Sequence, residues 1–130
     1  MCNRLHHDSK PIPKKGYGYK LFYMLDGKPT QLYGVDGYDT SPDKWIRWNR
    51  GSSLLAPGTY GFCFFRTRQA AQLVFERYHR VPFIVLSRIQ YREGLGRHIE
   101  KSMIEDMKIP IALCKEFKIL EEGPNDKTRI

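Results

Sequence analysis

Apolar and polar residues alternate in several segments of the chain, and alternation with a period of two predicts β-strands. The most regular segment, 83–92, places four apolar side chains on its inner face, namely Phe83, Val85, Ile89 and Tyr91. The two glycines in 94–96 are expected to end this strand. In the segment 111–121, Leu113, Phe117 and Ile119 are expected to share a face. The predicted strands are residues 19–25, 31–35, 60–65, 83–92 and 111–121, with a turn at 26–29.

Helix signals occur in three places. Thr67 is a suitable N-cap for a helix over 68–78, where apolar residues recur at helical spacing. Ser41 as N-cap and Pro42 at the first helical position predict a second, short helix around the two tryptophans. Residues 102–108 are expected to form one or two helical turns.

Strands outnumber helices, so the pattern predicts an α+β domain. We expect a mostly antiparallel sheet of about five to six strands with one long helix packed on one face. Residues 1–15 are polar and contain prolines, which predicts a flexible N-terminal arm. The domain then spans 16–122, and the polar residues 123–130 are expected to form a frayed tail. The residues expected to be buried between helix and sheet are Phe62, Phe64, Val74, Phe75, Val85 and Phe117.

The positive charge is concentrated in the middle of the chain. The 130 residues include 22 Lys or Arg and 14 Asp or Glu, which gives a formal net charge of +8. Residues 44–97 contain ten basic and two acidic residues and thus carry the whole excess. Nine of these ten are Arg, which binds phosphate bidentately and stacks on bases. This favours a polyanionic partner, with a basic surface that only maintains solubility as the alternative.

Trp45 and Trp48 alternate with Arg47 and Arg50. Aromatic rings beside guanidinium groups suit single-stranded nucleic acid or a nucleotide, because bases stack on the rings and phosphates pair with the cations. The alternative is that the tryptophans cover the core and leave both arginines in solvent. The candidate binding residues are Trp45, Arg47, Trp48, Arg50, Arg66, Arg88, Arg92 and Arg97.

Motifs for catalysis or metal binding are weak in this sequence. Cys63 and Cys114 lie in apolar segments and are expected to be buried free thiols, which fits a reducing cytoplasm. The sequence contains no phosphate loop, dinucleotide fingerprint or local nucleophile motif, so neither an enzyme nor a cofactor is predicted. Adjacent histidines on a polar arm rarely build the closed cage of structural zinc, so no metal is predicted either. The potential ligands concerned are Cys2, His6, His7 and Asp8.

One segment resembles a known group of proteins. Gly61-Phe62-Cys63-Phe64-Phe65-Arg66-Thr67-Arg68-Gln69-Ala70-Ala71 is similar to the Gly-[Ile/Phe]-His-Phe-Phe-x-Thr-Arg-Glu-x-Ala segment of small phage and prophage proteins of unknown function, and of some pentapeptide-repeat proteins. The similarity continues in order through 19–22, 83–92 and 117–121, and Cys63 stands where those proteins have His. This resemblance implies a phage-type origin rather than a particular reaction.

The same strand and helix are also similar to the Gly-x-x-Phe strand and helix of ADP-ribosyltransferases. That resemblance implies an enzyme that uses NAD, with aromatic residues around the nicotinamide and a carboxylate at the ribose. The residues of suitable type are Tyr19, Tyr60 and Glu116.

Together these observations predict a non-enzymatic phage-type binding protein that blocks a host nucleic-acid-dependent defence system, such as a CRISPR effector complex, through an Arg-rich face. The expected partner is a host protein or nucleoprotein complex, or a nucleic acid or nucleotide bound directly. No apolar run approaches the roughly 20 residues of a membrane helix, so no membrane partner is expected. The predicted location is the cytoplasm, which is that of the host cell if the protein is phage-encoded. The alternatives are an ADP-ribosyltransferase-like enzyme and a nucleic-acid-binding accessory protein of phage replication.

Overall fold

The computed structural model describes residues 8–25, 28–31, 40–49, 61–77, 83–101 and 108–120. Their elements are β1 (Lys15–Leu25), β2 (Lys28–Gln31), β3 (Trp45–Arg47), β4 (Phe62–Phe64), α1 (Arg68–Glu76), β5 (Ile84–Lys101) and β6 (Lys108–Ile119). Every strand pair among the described residues is antiparallel. The prediction of an α+β domain with a mostly antiparallel sheet is therefore confirmed for this part of the chain.

The six strands form one sheet that closes on itself. Their order is β2-β1-β5-β6-β3, with β4 also paired to β6. β3 pairs with residues 116–118 and β4 with residues 112–114, so the two short strands follow one another along the same edge of β6. Phe65, just after β4, exchanges two backbone hydrogen bonds with Tyr19 of β1, at 2.7 and 2.8 Å. These bonds complete a cycle through β1, β5, β6 and β4.

Closure separates an interior from an outer side that α1 covers in part. Phe62 and Phe64 point into the interior, where the Phe62 ring lies 4.8 Å from that of Phe117. Cys63 and Phe65 point to the helix side, so the alternation predicted for β4 is confirmed. The burial prediction needs two corrections. Phe75 is only partly buried, and of the six residues only Val74 and Phe75 lie on the helix side. The other four fill the interior, namely Phe62, Phe64, Val85 and Phe117.

Helix α1 is short: it spans nine residues, Arg68–Glu76, and the prediction of a long helix is wrong. Thr67 is its N-cap, as predicted, and the Thr67 Oγ1 accepts the backbone N–H of Ala70 at 3.2 Å. At the other end, the N–H of Arg77 donates to the carbonyl of Val74 at 3.0 Å. Such a bond over three residues tightens the last turn and ends the helix.

Trp45–Arg47 form strand β3, not the short helix predicted from Ser41 and Pro42. Asp43 has a φ of 61°, which a right-handed helix cannot contain. Its N–H donates to the carbonyl of Ile119 at 2.9 Å, and the following residues pair with β6. Pairing with β6 therefore satisfies the backbone groups that a helix would have satisfied locally.

Strand β5 continues past the glycine-rich segment 94–96 to Lys101, so the prediction that this segment ends the strand is wrong. The pairing of β5 with β6 shifts register within the segment, and Glu93 just before it has a φ of 53°. Both features mark a β-bulge. A Cβ atom at Gly94 would lie 2.3 Å from the carbonyl oxygen of Pro13. Glycine here allows a bulge and a close chain contact rather than a strand end.

A similar irregularity in β6 changes which side chains share a face. Leu113 lies on the helix side, whereas Phe117 and Ile119 lie in the interior, so the prediction that the three share a face is wrong. Cys114 and Phe117 both point into the interior, although two residues separate them where regular alternation has one. Beyond this extra residue, the positions of β6 that point into the interior are therefore shifted by one. Phe83, predicted on the inner face of β5, is 62% exposed.

Residues that precede β1 lie along β5. Lys10 and Arg97 exchange two backbone hydrogen bonds of 2.8 Å. Ile12 is buried in the interior cluster, and the Tyr91 hydroxyl donates to the carbonyl of Pro13 at 3.1 Å. The predicted boundaries of the flexible arm and of the tail stay predictions.

Several predicted elements fall partly outside the described residues. β2 begins at Lys28, earlier than the predicted returning strand at 31–35, of which only the first residue is described. Lys108 already belongs to β6, and the rest of the predicted helical turns at 102–108 lie outside the described residues. Within the described part of the chain, no helix has the length and apolar character needed to cross a membrane.

Candidate functional site

The outer side of the sheet carries a row of four residues, one from each of four neighbouring strands. Tyr17 of β1 pairs with Gln90 of β5. Gln90 also pairs with Lys118 of β6, which in turn pairs with Trp45 of β3. Because neighbouring strands lie about 4.8 Å apart, the two aromatic residues at the ends of the row are roughly 14 Å apart. Tyr17 is 52% exposed, and Trp45 is partly exposed.

The neighbouring row is charged. Arg92 of β5 pairs with Lys15 of β1 and with Glu116 of β6. Glu116 also pairs with Arg47 of β3. Arg88 precedes the first row by two positions on β5 and therefore points to the same side of the sheet. We call this surface the basic aromatic face; its residues are Lys15, Tyr17, Trp45, Arg47, Arg88, Gln90, Arg92, Glu116 and Lys118.

Each aromatic ring of the basic aromatic face contacts a guanidinium group. The Arg92 Cζ lies 3.6 Å from the centroid of the Trp45 ring, and the Lys118 Nζ lies 5.0 Å from it. The Arg88 Cζ lies 4.6 Å from the centroid of the Tyr17 ring. The negative face of an aromatic ring attracts a cation at these distances. The face thus presents two aromatic groups, each with a positive charge beside it.

A network of ion pairs holds Arg92 against Trp45. The Arg92 Nε lies 3.0 Å from the Glu116 Oε1, and an Arg47 nitrogen lies 3.7 Å from the same oxygen. Arg47 also forms an ion pair with Glu93, the residue at the bulge of β5. The hydrogen bond from Arg47 holds the pKa of the Glu93 carboxyl below its usual value. Arg47 is therefore engaged with two carboxylates, most closely with that of Glu93 and at a longer distance with that of Glu116.

Beside this network, the outer surface forms a shallow depression with basic and acidic walls. The depression is lined by Lys14, Lys15, Arg92, Glu93 and Glu116. Its two carboxylates are those already paired with arginine. An anion that enters the depression would therefore meet the lysines and Arg92.

The structure brings together four of the eight predicted binding residues. Trp45, Arg47, Arg88 and Arg92 all lie on the basic aromatic face. Trp48 is 6% exposed and contacts the Phe62 ring edge-on at 5.2 Å. Trp48 therefore fits the alternative in which a tryptophan covers the core, whereas Trp45 lies on the outer side, because positions an odd number of residues apart on an extended chain point to opposite sides.

The remaining predicted residues lie elsewhere. Arg66 and Arg97 line a different depression, beside Thr67 at the start of α1 and Pro110 of β6. Arg50 lies outside the described residues. The candidate residues thus divide into two basic regions rather than one continuous Arg-rich surface in the described chain.

Tyr17, Lys15 and Lys118 belong to the basic aromatic face but are missing from the sequence-based set. The predicted strand began at residue 19, which left Lys15 in the predicted N-terminal arm and Tyr17 in a glycine-containing connection. Their alternation with the following residues of β1 is the signal that could have found them. Lys118 carries a similar signal, since it alternates with the apolar Phe117 and Ile119.

A second polar group lies in the interior and is separate from the basic aromatic face. The Lys20 Nζ donates to the carbonyl of Cys63 at 2.5 Å and lies 5.6 Å from the centroid of the Phe117 ring. Burial lowers the pKa of this ammonium group to about 8. Burial also raises the pKa of the Cys114 thiol to about 12, which makes it a poor nucleophile. Cys63 and Cys114 are buried free thiols, as predicted.

Two of the three groups suggested for ADP-ribosyl transfer are described, and they lie on different strands. Tyr19 lies on β1 and Glu116 on β6, with β5 between them, and Tyr60 lies outside the described residues. The Glu116 carboxylate is paired with two arginines. Among the residues that the structure describes, no group of three or more His, Cys, Asp or Glu could hold a metal ion. Cys2, His6 and His7 lie outside this part of the chain.

Comparison of the chain with protein-family models, with curated proteins and with solved structures finds no match. The resemblance to small phage proteins, carried by the segment from Gly61 to Ala71, stays a prediction from the sequence.

Proposed function

We propose that the protein is a non-enzymatic binding protein whose basic aromatic face contacts a nucleic acid or a nucleoprotein complex. The observation that carries the proposal is the cross-strand row with Tyr17 and Trp45 at its ends and a guanidinium group beside each ring. Phosphate groups pair with arginine and lysine, and aromatic rings add contacts that an all-basic surface lacks.

The charge of the face supports a polyanionic partner. Its basic residues outnumber its acidic ones, and Glu116 is already paired with Arg92 and Arg47. The guanidinium group of arginine pairs with phosphate in a bidentate manner. Contacts of this kind release counterions from the partner, so affinity should fall steeply as salt is added.

The biological setting that we propose is inhibition of a host nucleic-acid-dependent defence system, such as a CRISPR effector complex, by a phage-type protein. The segment from Gly61 to Ala71 supports this setting through its resemblance to small phage proteins. An inhibitor of this type acts by occupying a surface, which requires exposed contact groups and no catalytic centre.

The test is a pull-down of nucleoprotein from a bacterial lysate, with and without nuclease. We compare the wild-type protein with the double variant Arg88→Ala/Arg92→Ala. The matched control is Arg66→Ala/Arg97→Ala, which removes the same charge from the other basic region. We expect capture to be lost in the first variant, retained in the control and weakened by added salt.

If the wild type and both double variants capture equal amounts of nucleoprotein, the basic aromatic face does not take part in binding. Loss of capture after nuclease treatment indicates direct contact with nucleic acid, and retained capture indicates a protein component. Thermal melting of each variant checks that a loss of capture does not come from unfolding.

A further inference from the structure

We infer that the basic aromatic face binds single-stranded nucleic acid directly, by stacking unpaired bases at Tyr17 and Trp45; this rests on the proposed function and names its ligand. The two rings stand at opposite ends of one cross-strand row, with a polar centre formed by Gln90 and Lys118. One class of RNA-binding domain likewise stacks two or three bases on aromatic side chains of a β-sheet surface.

The spacing of the two backbone positions suits separate bases of one strand. Three strand spacings place Tyr17 and Trp45 roughly 14 Å apart, which is too far for both rings to sandwich a single base. Each ring can therefore receive its own base, and the chain between the two bases must cross Gln90 and Lys118. Lys118 lies in the row itself, where it can meet a phosphate of that connecting stretch.

Each stacking position has a cation next to it. Arg88 accompanies Tyr17, and Arg92 accompanies Trp45. A guanidinium plane can itself stack on a base or pair with a phosphate, so ring and cation form one binding unit for a nucleotide. The ion pair of Arg92 with Glu116 sets the orientation of this unit before any ligand arrives.

A duplex fits these observations less well than a single strand. Duplex bases already stack on each other, and their edges are read by a helix or a two-stranded ribbon that enters the major groove. The basic aromatic face is instead spread across four strands, and α1 packs on other parts of the sheet. The carboxylates of an acidic protein surface would pair with the cations, but a carboxylate has no ring that could stack on Tyr17 or Trp45.

The test compares four labelled ligands: a mixed-sequence DNA single strand of about ten nucleotides, the RNA strand of the same sequence, the DNA duplex, and poly-glutamate as an acidic polymer. The variants Trp45→Leu and Tyr17→Leu remove one ring each. The control Phe83→Leu removes an exposed aromatic ring seven positions before Gln90 on the chain, away from the row. Arg88→Ala/Arg92→Ala and its matched control Arg66→Ala/Arg97→Ala are measured beside them.

We expect the single strands to bind more tightly than the duplex and poly-glutamate. The loss of one stacked base should weaken single-strand binding roughly 5- to 150-fold in each ring variant, and Phe83→Leu should bind as the wild type does. The relative affinities of the RNA and DNA strands assign the natural ligand, since only RNA carries 2′-hydroxyl groups.

Intrinsic fluorescence supplies a readout that phosphate contacts alone would not change. The chain has two tryptophans, of which Trp48 is buried and Trp45 is on the face. A stacked base should quench Trp45, so a single strand should lower the fluorescence of the wild-type protein. The same ligand should leave the fluorescence of Trp45→Phe unchanged.

The outcomes separate this inference from the proposed function. Equal affinity for duplex and single strand, with no effect of Trp45→Leu and no quenching, overturns the stacking inference. Failure of every nucleic acid to bind overturns it as well. In both cases the proposed function still stands if Arg88→Ala/Arg92→Ala loses the nucleoprotein captured from lysate. If that double variant binds every ligand and captures the nucleoprotein as the wild type does, the proposed function falls together with the inference.

Discussion

Lys20 places an ammonium group inside the closed sheet, and its removal should change stability in a pH-dependent way. The side chain is buried, and its Nζ donates to the carbonyl of Cys63. Burial lowers the pKa of this group from 10.5 to about 8, because the charged form loses its hydration. The two nearby thiols, of Cys63 and Cys114, act in the opposite direction and offset part of this effect.

We predict that Lys20→Met stabilises the protein at neutral pH and that this gain disappears as the pH rises. The pKa shift from 10.5 to about 8 corresponds to about 3 kcal/mol of destabilisation in the protonated wild type. Loss of the hydrogen bond to Cys63 destabilises the variant by about 1 kcal/mol. The free energy of unfolding of Lys20→Met should therefore exceed that of the wild type by about 2 kcal/mol at about pH 7. Between about pH 8 and 10.5 the unfolded chain binds more protons than the folded one, so wild-type stability rises with pH. The difference in unfolding free energy between Lys20→Met and the wild type should therefore be about 2 kcal/mol smaller at about pH 9.5 than at about pH 7.

Urea unfolding at the two pH values measures this gap directly. Burial raises the pKa of Tyr91 and of Cys114, which lowers the stability of both proteins at high pH, and these contributions cancel in the difference. Lys108→Met is the control, because it makes the same substitution at an exposed side chain. A constant gap between wild type and Lys20→Met would refute the reasoning, since it would mean that water solvates the ammonium in the folded state.

Three further predictions concern the core, the bulge and catalysis. Phe62→Ala should lower the free energy of unfolding by about 3–5 kcal/mol, because Phe62 is fully buried among aromatic rings. Phe83→Ala, at an exposed position, should change it by about 0.5 kcal/mol or less. Urea unfolding distinguishes these two values. Gly94→Ala should lower the melting temperature and cost about 1–3 kcal/mol, because its methyl group would collide with the carbonyl of Pro13, and an unchanged melting curve would contradict the close contact. Incubation with NAD and a captured target should leave the target mass unchanged; an added ADP-ribose that disappears in Glu116→Ala would instead favour the transferase alternative.

Local patterns in the sequence were sufficient for features that depend on neighbouring residues. The alternation around Phe62, Cys63 and Phe64 correctly placed successive side chains on opposite sides of β4. Thr67 was recognised as an N-cap, because a hydroxyl three residues before a helical N–H satisfies that donor without any tertiary contact. The burial of Cys63 and Cys114 followed from the apolar residues around them.

Local patterns failed where pairing with a distant strand decided the conformation. Ser41 and Pro42 have the chemistry of a helix start, yet the residues after them pair with β6, which supplies hydrogen bonds over a separation that no local rule contains. The glycines in 94–96 resemble a strand end, but here they form a bulge because Pro13 packs against Gly94. The length of α1 was also predicted wrongly, but there the deciding contact is local, because its last turn closes through a hydrogen bond from Arg77 to Val74.

The candidate site shows the same division. The sequence by itself determined that the protein has an excess of arginine in its middle segment, with tryptophans nearby, and that its fold is α+β. Only the tertiary structure decided that Trp45 faces outward and Trp48 inward, and that Tyr17 joins Trp45 in one row across four strands. The register between strands brings together residues far apart in the chain, and that register depends on closure of the whole sheet, which no single segment encodes.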